Sequence, residues 1–409
     1  MPAVAPFQGI KKESSAADEM PDFFLWLLSP PWDGVQTRQQ HFARRMARLG
    51  KEVLYVENPP AFSSALRRGD WRGFAFFRAR HCEVEPGLHV VRPVLSLPGS
   101  MRSDAIARLN AQLLSKQLNR WFGRRGWRSY LTWCRVPGSV FSLKHLRPRQ
   151  VVYDVTDDYA LYARHDGERR RTIDRERSLL QAADTVFVTA SELLKKPCLQ
   201  SARPILLPNG VDYELFAAAS HLGPIHPLIA NLKKPTIGYV GLTSYWMDFN
   251  LLAKLGRQWP GQVIMIGPIQ PQVQSLAKEV AGVIWAGFVP QPELVPYLRG
   301  IDVLIMPHQV NELRKSSNPL KICEYLATGK PFVTIDIPAL DPARHLAHIA
   351  RNHEQFLDFV GKALQQDSAA AKAERQAFAR RYSWDKLFKD LMANLARTHP
   401  ISESRYQAA

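Results

Sequence analysis

The sequence predicts an α/β fold class with two Rossmann-like, doubly wound domains that face each other across a cleft. Short apolar strands alternate with helical stretches in two successive series, and each strand ends in Gly, Pro or a polar cluster. The second series restarts at PTIGYVGL, after the segment PNGVDYELF at 208–216. Because open α/β sheets bind ligands beyond the carboxyl ends of their strands, we expect the site in the cleft between the two sheets.

The 409 residues are expected to form two folded domains with short ends. We predict a disordered N-terminus at 1–20, an N-terminal domain at 21–210, a C-terminal domain at 211–398 whose last helix can pack back on the first domain, and a tail at 399–409. The apolar run FFLWLL is far shorter than a membrane span and lacks the features of a signal peptide. Four widely spaced cysteines favour a reducing cytoplasm.

The first series begins with DFFLWLL, and the turn SPPWDGVQTR leads from it into the helix QQHFARRMARLG. Asp33, Gly34 and Arg38 lie in this turn, where they are candidates for contact with an acceptor or with phosphates. The strands KEVLYVENP, GLHVVRP, RSYLTW, QVVYDVT, DTVFVTA and PILLPNG follow. A lone Gly in such a turn is also explained by simple chain reversal.

The strand QVVYDVT ends in an acidic cluster. Asp157 and Asp158 stand at its carboxyl end, so one of these carboxylates could act as a general base if burial raises its pKa. The alternative is that Asp157 only caps the following helix, DYALYARH. His165 at the end of that stretch could also serve as the base, although a lone His on a helix is more often structural.

The second series contains IGYV, GQVIMIGP, GVIWAGF, IDVLIMP and PFVTID. Gly241 and Gly287 each follow or end one of these strands. Either glycine can be a simple turn residue, or a position where the backbone approaches a ligand closely.

The segment SSNPLKICEYLATGKPFV, residues 316–333, predicts a helix whose N-terminus is built to hold a phosphate. Asn318 is a good N-cap, Pro319 fits the first helical position, and Gly329 supplies a stop. The first turn offers free backbone N–H groups, the positive end of the helix dipole and the charge of Lys321.

Glu324 lies one turn beyond Lys321 on the same face of this helix, and the hydroxyls of Ser316 and Ser317 come just before it. Binding a nucleotide diphosphate requires a cation for the diphosphate and a carboxylate for the ribose hydroxyls. The alternative is an ordinary capped helix whose Lys and Glu are solvated.

Basic residues are concentrated in one part of the chain. The net charge is +17, and residues 61–150 hold 17 Lys and Arg against 4 Asp and Glu. The stretch MRSDAIARLNAQLLSKQLNRWF has helical spacing of its apolar residues, and aromatic residues lie on both sides. We expect contact with an anionic membrane surface through Trp71, Phe74, Phe76, Phe77, Arg120, Trp121, Arg124, Arg125 and Arg128. Nucleic acid would attract the same charges, and a helix packed on its own domain with solvated charges is the third interpretation.

The quoted residues resemble the GT-B glycosyltransferases, in particular family 4 type enzymes close to the teichuronic-acid biosynthesis transferases and, more distantly, the xanthan glucuronosyltransferase. The resemblance covers almost the whole chain, with YDVTDD, LPNGVD, IGYVGLTSYWMDFNLL and NPLKICEYLATGKPFV among its blocks. Most family 4 enzymes carry two glutamates separated by seven residues in the last block, where this chain has Ser316 and Glu324. In the xanthan-type enzymes a serine pair precedes a donor-binding lysine, similar to Lys321, and an aspartate resembling Asp157 is the base of an inverting reaction.

The resemblance implies a metal-independent glycosyltransferase without a cofactor. It would move a sugar from a nucleotide-diphosphate donor, expected to be UDP-linked, to a lipid-linked or glycan acceptor at the inner face of the cell membrane. The N-terminal domain would bind the acceptor, and the C-terminal domain would bind the donor. Expected donor-binding positions are Gly241, Phe288, Val289, His308 directly after Pro307, Ser316, Ser317, Asn318, Pro319, Leu320, Lys321 and Glu324.

Within this interpretation Lys321 would stabilise the leaving diphosphate, Glu324 would hold the ribose, and Asp157 would deprotonate the acceptor. A nucleotide-sugar epimerase or hydrolase of the same fold is the first alternative. A nucleic-acid-binding protein and an inactive scaffold are the others, although no nucleic-acid partner is expected.

Overall fold

The computed structural model describes residues 21–59, 80–93 and 96–397. Within these ranges the chain forms two mainly parallel sheets, one in each half of the sequence, with helices packed on their faces. The prediction of two Rossmann-like α/β domains is therefore confirmed. The predicted disordered ends, and the aromatic residues Trp71, Phe74, Phe76 and Phe77, lie outside the described residues.

The N-terminal sheet has the strand order β3-β4-β2-β1-β5-β6-β7-β8. Its neighbouring strands are parallel except β3 and β4, which form an antiparallel edge pair. The central strands are buried apolar runs, as expected for a parallel sheet covered by helices on both faces. Its strands are β1 (Phe23–Ser29), β2 (Glu52–Glu57), β3 (Arg80–Glu85), β4 (Leu88–Arg92), β5 (Tyr130–Cys134), β6 (Gln150–Val155), β7 (Thr185–Val188) and β8 (Ile205–Leu206).

The C-terminal sheet is parallel throughout and has the order β11-β10-β9-β12-β13-β14. The strand order reverses beside β9, so the carboxyl ends of β9 and β12 border the crevice where such sheets bind ligands. Its strands are β9 (Ile237–Val240), β10 (Val263–Ile266), β11 (Val283–Gly287), β12 (Val303–Met306), β13 (Phe332–Ile335) and β14 (His348–Ala350).

Helices connect these strands and cover both sheets. In the first half they are α1 (Arg38–Arg48), α2 (Asp104–Arg125), α3 (Val140–Leu146), α4 (Asp166–Ala182) and α5 (Pro197–Gln200). After the first sheet they are α6 (Tyr213–Ala217), α7 (Pro227–Ala230), α8 (Phe249–Gln258), α9 (Gln274–Glu279), α10 (Val295–Gly300), α11 (Glu312–Lys315), α12 (Leu320–Thr328), α13 (His353–Gln365), α14 (Ala369–Arg380) and α15 (Trp384–Ala396). None of the helices in the described ranges combines the length and the hydropathy of a membrane span.

The last helix, α15, crosses back from the C-terminal domain and packs against α1 of the N-terminal domain. Trp384 stacks on His41 with 4.7 Å between ring centroids, and it meets Phe42 edge-on at 5.5 Å. Leu391 and Leu395 of the same helix are buried in the core of the N-terminal domain. The two domains are thus connected by a shared apolar core as well as by the chain between them.

Arg38 is not available to a substrate, contrary to the sequence prediction. Its side chain is 2 % exposed, and its Nε lies 3.0 Å from the fully buried carboxylate of Asp154 in β6. Its Nη1 donates to the carbonyl oxygens of Leu207 (2.7 Å) and Pro208 (3.3 Å), at the start of the segment that leads into the C-terminal domain. Arg38 therefore connects α1, β6 and the interdomain segment inside the protein.

Three local predictions also need correction. The antiparallel strand β3 and the short strand β14 carry polar or short sequences that gave no strand signal. The stretch DYALYARH is not a helix, since only Tyr159–Tyr162 forms a 3₁₀ turn. The apolar residues that the helical spacing groups together in α2 are divided, because Leu114 and Leu118 are buried whereas Leu109 and Leu113 are exposed to solvent.

We predict that Arg38→Leu lowers the free energy of unfolding by about 3 to 5 kcal/mol, because it leaves the Asp154 carboxylate buried without its cation. Denaturant unfolding of both proteins measures the difference. Arg45→Leu is the matched control, since Arg45 pairs with the exposed Asp385 and its loss should cost less than about 1 kcal/mol. Equal stability of the two variants would contradict a structural role for Arg38.

Candidate functional site

A cleft of about 600 Å³ lies between the two domains, at the carboxyl ends of the strands of the C-terminal sheet. The C-terminal domain contributes the backbone that follows β9, β10 and β11, together with the first turn of α12. The N-terminal domain contributes the turn after β1 and the exposed side of α1. The residues that line the cleft include Asp33, Gly34, His41, Arg44, Arg45 and Glu85 from the N-terminal domain, and Gly241, Gly267, Phe288, Val289, Lys321 and Glu324 from the C-terminal domain.

Glycines at two adjacent strand ends form the floor of this cleft. Gly241 and Gly267 both have positive φ angles, of 154° and 144°. A Cβ atom on Gly267 would lie 2.0 Å from the carbonyl oxygen of Gly241, and a Cβ on Gly241 would lie 2.7 Å from Cε of Lys321. Only glycine allows this close approach, so a ligand at the strand ends meets bare backbone with Lys321 directly above it.

The helix α12 begins one residue later than the sequence predicts. Its N-cap is Pro319, its first residue is Leu320, and its C-cap is Gly329 in the left-handed conformation, with φ of 72°. Asn318 does not cap the helix, because its side-chain amide donates to the carbonyl of Thr189 in the N-terminal domain at 2.9 Å. Its own carbonyl accepts from Asn209 at 2.6 Å, so both domains hold the start of this helix.

The two serines before α12 are engaged with the backbone. Ser316 Oγ donates to the carbonyl of Leu313 at 3.2 Å, and Ser317 Oγ donates to that of Arg314 at 3.0 Å. Ser317 is buried. These hydroxyls close the short helix α11 and fix the chain that enters α12, so they shape the site rather than standing free in it.

Lys321 and Glu324 point into the cleft as the sequence predicts, but they pair with each other. The Lys321 ammonium donates to Glu324 Oε2 at 2.6 Å, and the two side chains are 16 % and 6 % exposed. A partly buried pair that opens onto a cleft is poised to exchange partners when an anion and a hydroxyl donor enter.

His308 lies close to the cleft but does not line it. It is buried, and both ring nitrogens lack a hydrogen-bond partner among the described residues. Burial, together with the charges of Arg314 and Lys321, lowers the pKa of His308 to about 3, so the imidazole is neutral. It lines a neighbouring cavity with Asp248 and His353.

Asp157 follows β6 and is partly buried near the facing edge of the C-terminal domain. Burial raises the pKa of Asp157 to about 6, although the charges of Arg135 and Arg314 and hydrogen bonds from Thr156 and Tyr162 act in the opposite direction. A carboxylate with this pKa is deprotonated at neutral pH and is a stronger base than a solvated aspartate.

The neighbouring candidates have other tasks. Asp158 is the N-cap of the Tyr159–Tyr162 turn, since its Oδ1 accepts from Ala160 N, and it pairs with Lys196 at 2.9 Å. Capping is therefore carried out by Asp158 and not by Asp157. His165 is exposed at the N-cap of α4 and lines neither the cleft nor a described pocket beside it.

Sequence reasoning missed Arg314, which lies in α11 between the two groups of candidates. Its side chain is 8 % exposed, its Nε has no hydrogen-bond partner, and its guanidinium lies 4.9 Å from the ring centroid of Trp246. Its charge acts on Asp157 in one domain and on His308 and Tyr239 in the other. The only sign of Arg314 in the sequence is its position just before the serine pair. On that evidence it could not be told apart from Lys315, the exposed residue that follows it.

The basic residues at the end of α2 form an exposed surface, whereas the aromatic residue among them does not. Arg120, Arg124, Arg125 and Arg128 are all exposed. Trp121 is only partly exposed, because it packs against Trp127 at 5.0 Å and beneath Arg125 at 4.5 Å. The predicted membrane contact through Trp121 therefore needs correction, since its ring stabilises the domain.

The described residues contain no group of three or more His, Cys, Asp or Glu side chains that could hold a metal ion. Positive charge around the cleft comes instead from Lys321, Arg314 and the arginines of α1. Of these, Arg44 pairs at 2.8 Å with Glu85 of β3, in the same domain.

Comparisons with known proteins agree with this arrangement. Residues 235–366 match the family described as glycosyl transferases group 1. TuaH of Bacillus subtilis (strain 168), named for a glycosyltransferase role in teichuronic acid biosynthesis, is 26 % identical over 281 residues, which are 64 % of this chain and 70 % of TuaH.

Two solved structures share the fold over almost the whole chain. The sucrose-phosphate synthase of Thermosynechococcus elongatus superposes with a TM-score of 0.69 at 15 % identity, covering 92 % of this chain and 98 % of that one. The E. coli trehalose-6-phosphate protein bound with UDP-2-fluoro glucose gives 0.67 at 12 % identity, covering 93 % and 100 %. The resemblance predicted from the sequence is thus confirmed: the chain has the GT-B fold, its C-terminal half matches a glycosyltransferase family, and it is similar to TuaH.

Proposed function

We propose that this enzyme transfers a sugar from a UDP-linked donor to a hydroxyl of a lipid-linked or glycan acceptor during synthesis of a cell-surface polysaccharide. The observation that carries the proposal is the interdomain cleft, where Lys321 stands over a glycine floor at the strand ends. Asp157, with a raised pKa, lies in the facing domain outside the lining of the cleft, where the charge of Arg314 from the C-terminal domain acts on it. A UDP-linked donor is supported by a structural relative that is bound with UDP-2-fluoro glucose, and we place the donor on the C-terminal side of the cleft, where Lys321 lies.

In the proposed donor complex the diphosphate lies over Gly241 and Gly267, and the nucleoside extends towards Phe288 and Val289. Phe288 is exposed at the end of β11, where its ring can cover a base. Glu324 exchanges Lys321 for the ribose hydroxyls, which frees the ammonium for the diphosphate. The first turn of α12 adds the positive end of its dipole.

Transfer then proceeds by displacement at the anomeric carbon. The acceptor oxygen forms the new bond as the bond from that carbon to the diphosphate oxygen breaks, and the leaving oxygen keeps the electron pair. Asp157 takes the proton of the acceptor hydroxyl, while Lys321 and Arg314 stabilise the charge that grows on the diphosphate.

The first prediction is that Lys321→Ala lowers turnover by about 10² to 10³ with donor saturating, because one preorganised charge contact to the leaving group is lost. Initial rates with a series of UDP-sugars measure it. Lys315→Ala is the control, since Lys315 is an exposed lysine six residues earlier that pairs with Glu312 and should leave turnover unchanged. Wild-type turnover in the Lys321 variant would remove the lysine from the mechanism.

The second prediction is that kcat/KM falls tenfold per pH unit below about pH 6, because protonated Asp157 cannot accept the acceptor's proton. Asp157→Asn should lose about 10² to 10⁴ in turnover and abolish this acid limb. UDP affinity should stay within a few-fold of the wild type.

Arg314→Gln tests the titration of Asp157 by removing a neighbouring charge. Because the charge of Arg314 lowers the pKa of Asp157, its removal should shift the acid limb to higher pH. Asp158→Asn should lower stability without moving the limb, since Asp158 pairs with Lys196. An acid limb that survives Asp157→Asn would assign the base to another group.

We also propose that the enzyme works as a peripheral protein on the inner face of the cell membrane. The support is the exposed group of Arg120, Arg124, Arg125 and Arg128 at one end of α2, within the most basic part of the chain. Each basic residue near an anionic surface contributes about 1 kcal/mol of binding free energy.

The third prediction is that changing these four arginines to Glu weakens partitioning onto phosphatidylglycerol vesicles by about a hundredfold or more at low salt. The matched control changes the exposed Arg257, Lys278, Lys362 and Lys389 of the C-terminal domain to Glu, which alters the net charge equally. Sedimentation with vesicles measures both. Equal loss in the two variants would show that only net charge matters, and no binding by the wild type would exclude the membrane proposal.

A further inference from the structure

A second cavity, of about 320 Å³, lies inside the N-terminal domain between α2 and the carboxyl ends of its strands. It is distinct from the interdomain cleft and shares no lining residue with it. Leu28 at the end of β1, Asn58 and Pro59 after β2 and Pro137 after β5 form one side. Ala107, Ala111 and Leu114 of α2 form the other.

The walls of this cavity are shaped by small residues. Ala107 and Ala111 face it from α2, and a Cβ atom added to Gly138 would meet no atom within 4 Å. Leu28 has a φ of 55°, a left-handed conformation that is unusual for a non-glycine residue and is often retained at functional positions. The space is therefore built into the fold at the strand ends.

Several polar side chains around the cavity are already bonded to the protein. Arg175 pairs with Asp104 at 2.6 Å and donates to Ser100 O at 2.7 Å. Asn110 bonds both backbone groups of Leu97, and Thr172 Oγ1 donates to Glu168 O. Because these groups offer little to water, the cavity suits an apolar occupant.

One end of the cavity is lined by a side chain that contacts the proposed base, although Asp157 itself does not line the cavity. Tyr159 and Tyr162 both line it. The Tyr159 hydroxyl accepts from Arg135 at 2.8 Å and lies 3.0 Å from Thr156 Oγ1. The Tyr162 hydroxyl bonds Asp157. A molecule held in the cavity would place its polar end beside the carboxylate that takes the acceptor's proton.

The other end opens at the surface among exposed apolar side chains. Met101 lines the cavity and is 47 % exposed, and Leu97, Leu109 and Leu113 are exposed close by along α2 and the chain before it. The basic residues of α2 continue this surface towards Arg120 and Arg124. Apolar residues beside a cationic surface suit a ligand that combines an apolar chain with an anionic head.

We infer that this cavity binds part of the apolar chain of a lipid-linked acceptor, which enters past Met101 and directs the acceptor's hydroxyl end towards Asp157. The inference rests on the proposed function. It narrows the acceptor class, which was lipid-linked or glycan, to lipid-linked acceptors alone. Binding comes mainly from burying methylene and methyl groups against Leu28, Ala111 and Leu114, so affinity rises with chain length up to the length the cavity can hold.

The test measures binding of farnesyl phosphate to the full chain by calorimetry below its critical micelle concentration, with inorganic phosphate as the head-group control. We expect saturable binding of farnesyl phosphate and none of inorganic phosphate at equal concentration. Ala111→Trp should weaken the former at least about tenfold, because the indole displaces two or more buried methylene groups. Ala105→Trp, the same change at an exposed position of α2 outside the cavity, should bind like the wild type.

Gly138→Leu is the second variant, because it fills the cavity from the opposite wall at a position that needs no positive φ. UDP binding is measured in every protein. Loss of farnesyl phosphate binding in both cavity variants, with UDP binding retained, supports the inference. Wild-type farnesyl phosphate affinity in folded Ala111→Trp and Gly138→Leu overturns it, as does absence of binding by the wild type. Failure of the wild type to bind any UDP-linked ligand would instead overturn the donor proposal, whatever the lipid result.

Discussion

The buried ion pair between Arg38 and Asp154 is the interaction on which the arrangement of the two domains depends. It joins the start of α1 to the carboxyl end of β6, and the same guanidinium holds the carbonyls of Leu207 and Pro208. Two residues later Asn209 donates to Asn318, and Asn318 donates to Thr189. A continuous set of hydrogen bonds thus runs from the core of the first domain to the residue before α12. The position of Lys321 relative to the N-terminal sheet is therefore set by backbone contacts and by a buried charge pair, which permits little variation.

His308 and Lys321 show how buried and partly buried side chains determine the electrostatics of the cleft. His308 lies near two cations and stays neutral, so it adds no competing charge. Lys321 is held by Glu324, which keeps a partly buried ammonium from being left without a partner. The glycine floor leaves no side chain between that ammonium and the strand ends. An anion entering the cleft meets a cation whose position is already fixed, and this is the condition under which a charge contact stabilises a leaving group well.

The parts of this structure that the sequence predicted are those that depend on local pattern. Strand runs, turn glycines and the end of α12 at Gly329 all follow from periodicity and backbone chemistry within a few residues. The predictions that were wrong failed because of contacts between residues that lie far apart in the sequence. Asn318 has an N-cap's chemistry but uses it on Thr189, 129 residues away. Arg38 looked like a surface residue of a turn because its partner Asp154 is 116 residues further on and was hidden in an apolar strand pattern. Leu109 and Leu113 matched a helical stripe, but the helix buries only part of that stripe, and both side chains are exposed to solvent.

Asp157 shows how the two domains jointly determine the strength of the proposed base. The largest influence on its pKa is burial, which raises it, and Arg314 from the C-terminal domain is among the charges that oppose the rise. The Tyr162 hydroxyl that bonds Asp157 also bonds Tyr245 of the C-terminal domain, so that domain contributes to the enclosure of the carboxylate. Separating the domains would hydrate Asp157 and remove Arg314 together. Because burial is the larger of the two effects, the pKa would fall towards its ordinary value and the carboxylate would become a weaker base. The pKa of Asp157 is therefore raised where the C-terminal domain lies beside it. In the proposed mechanism, this would link proton removal from an acceptor to the presence of the domain that carries Lys321.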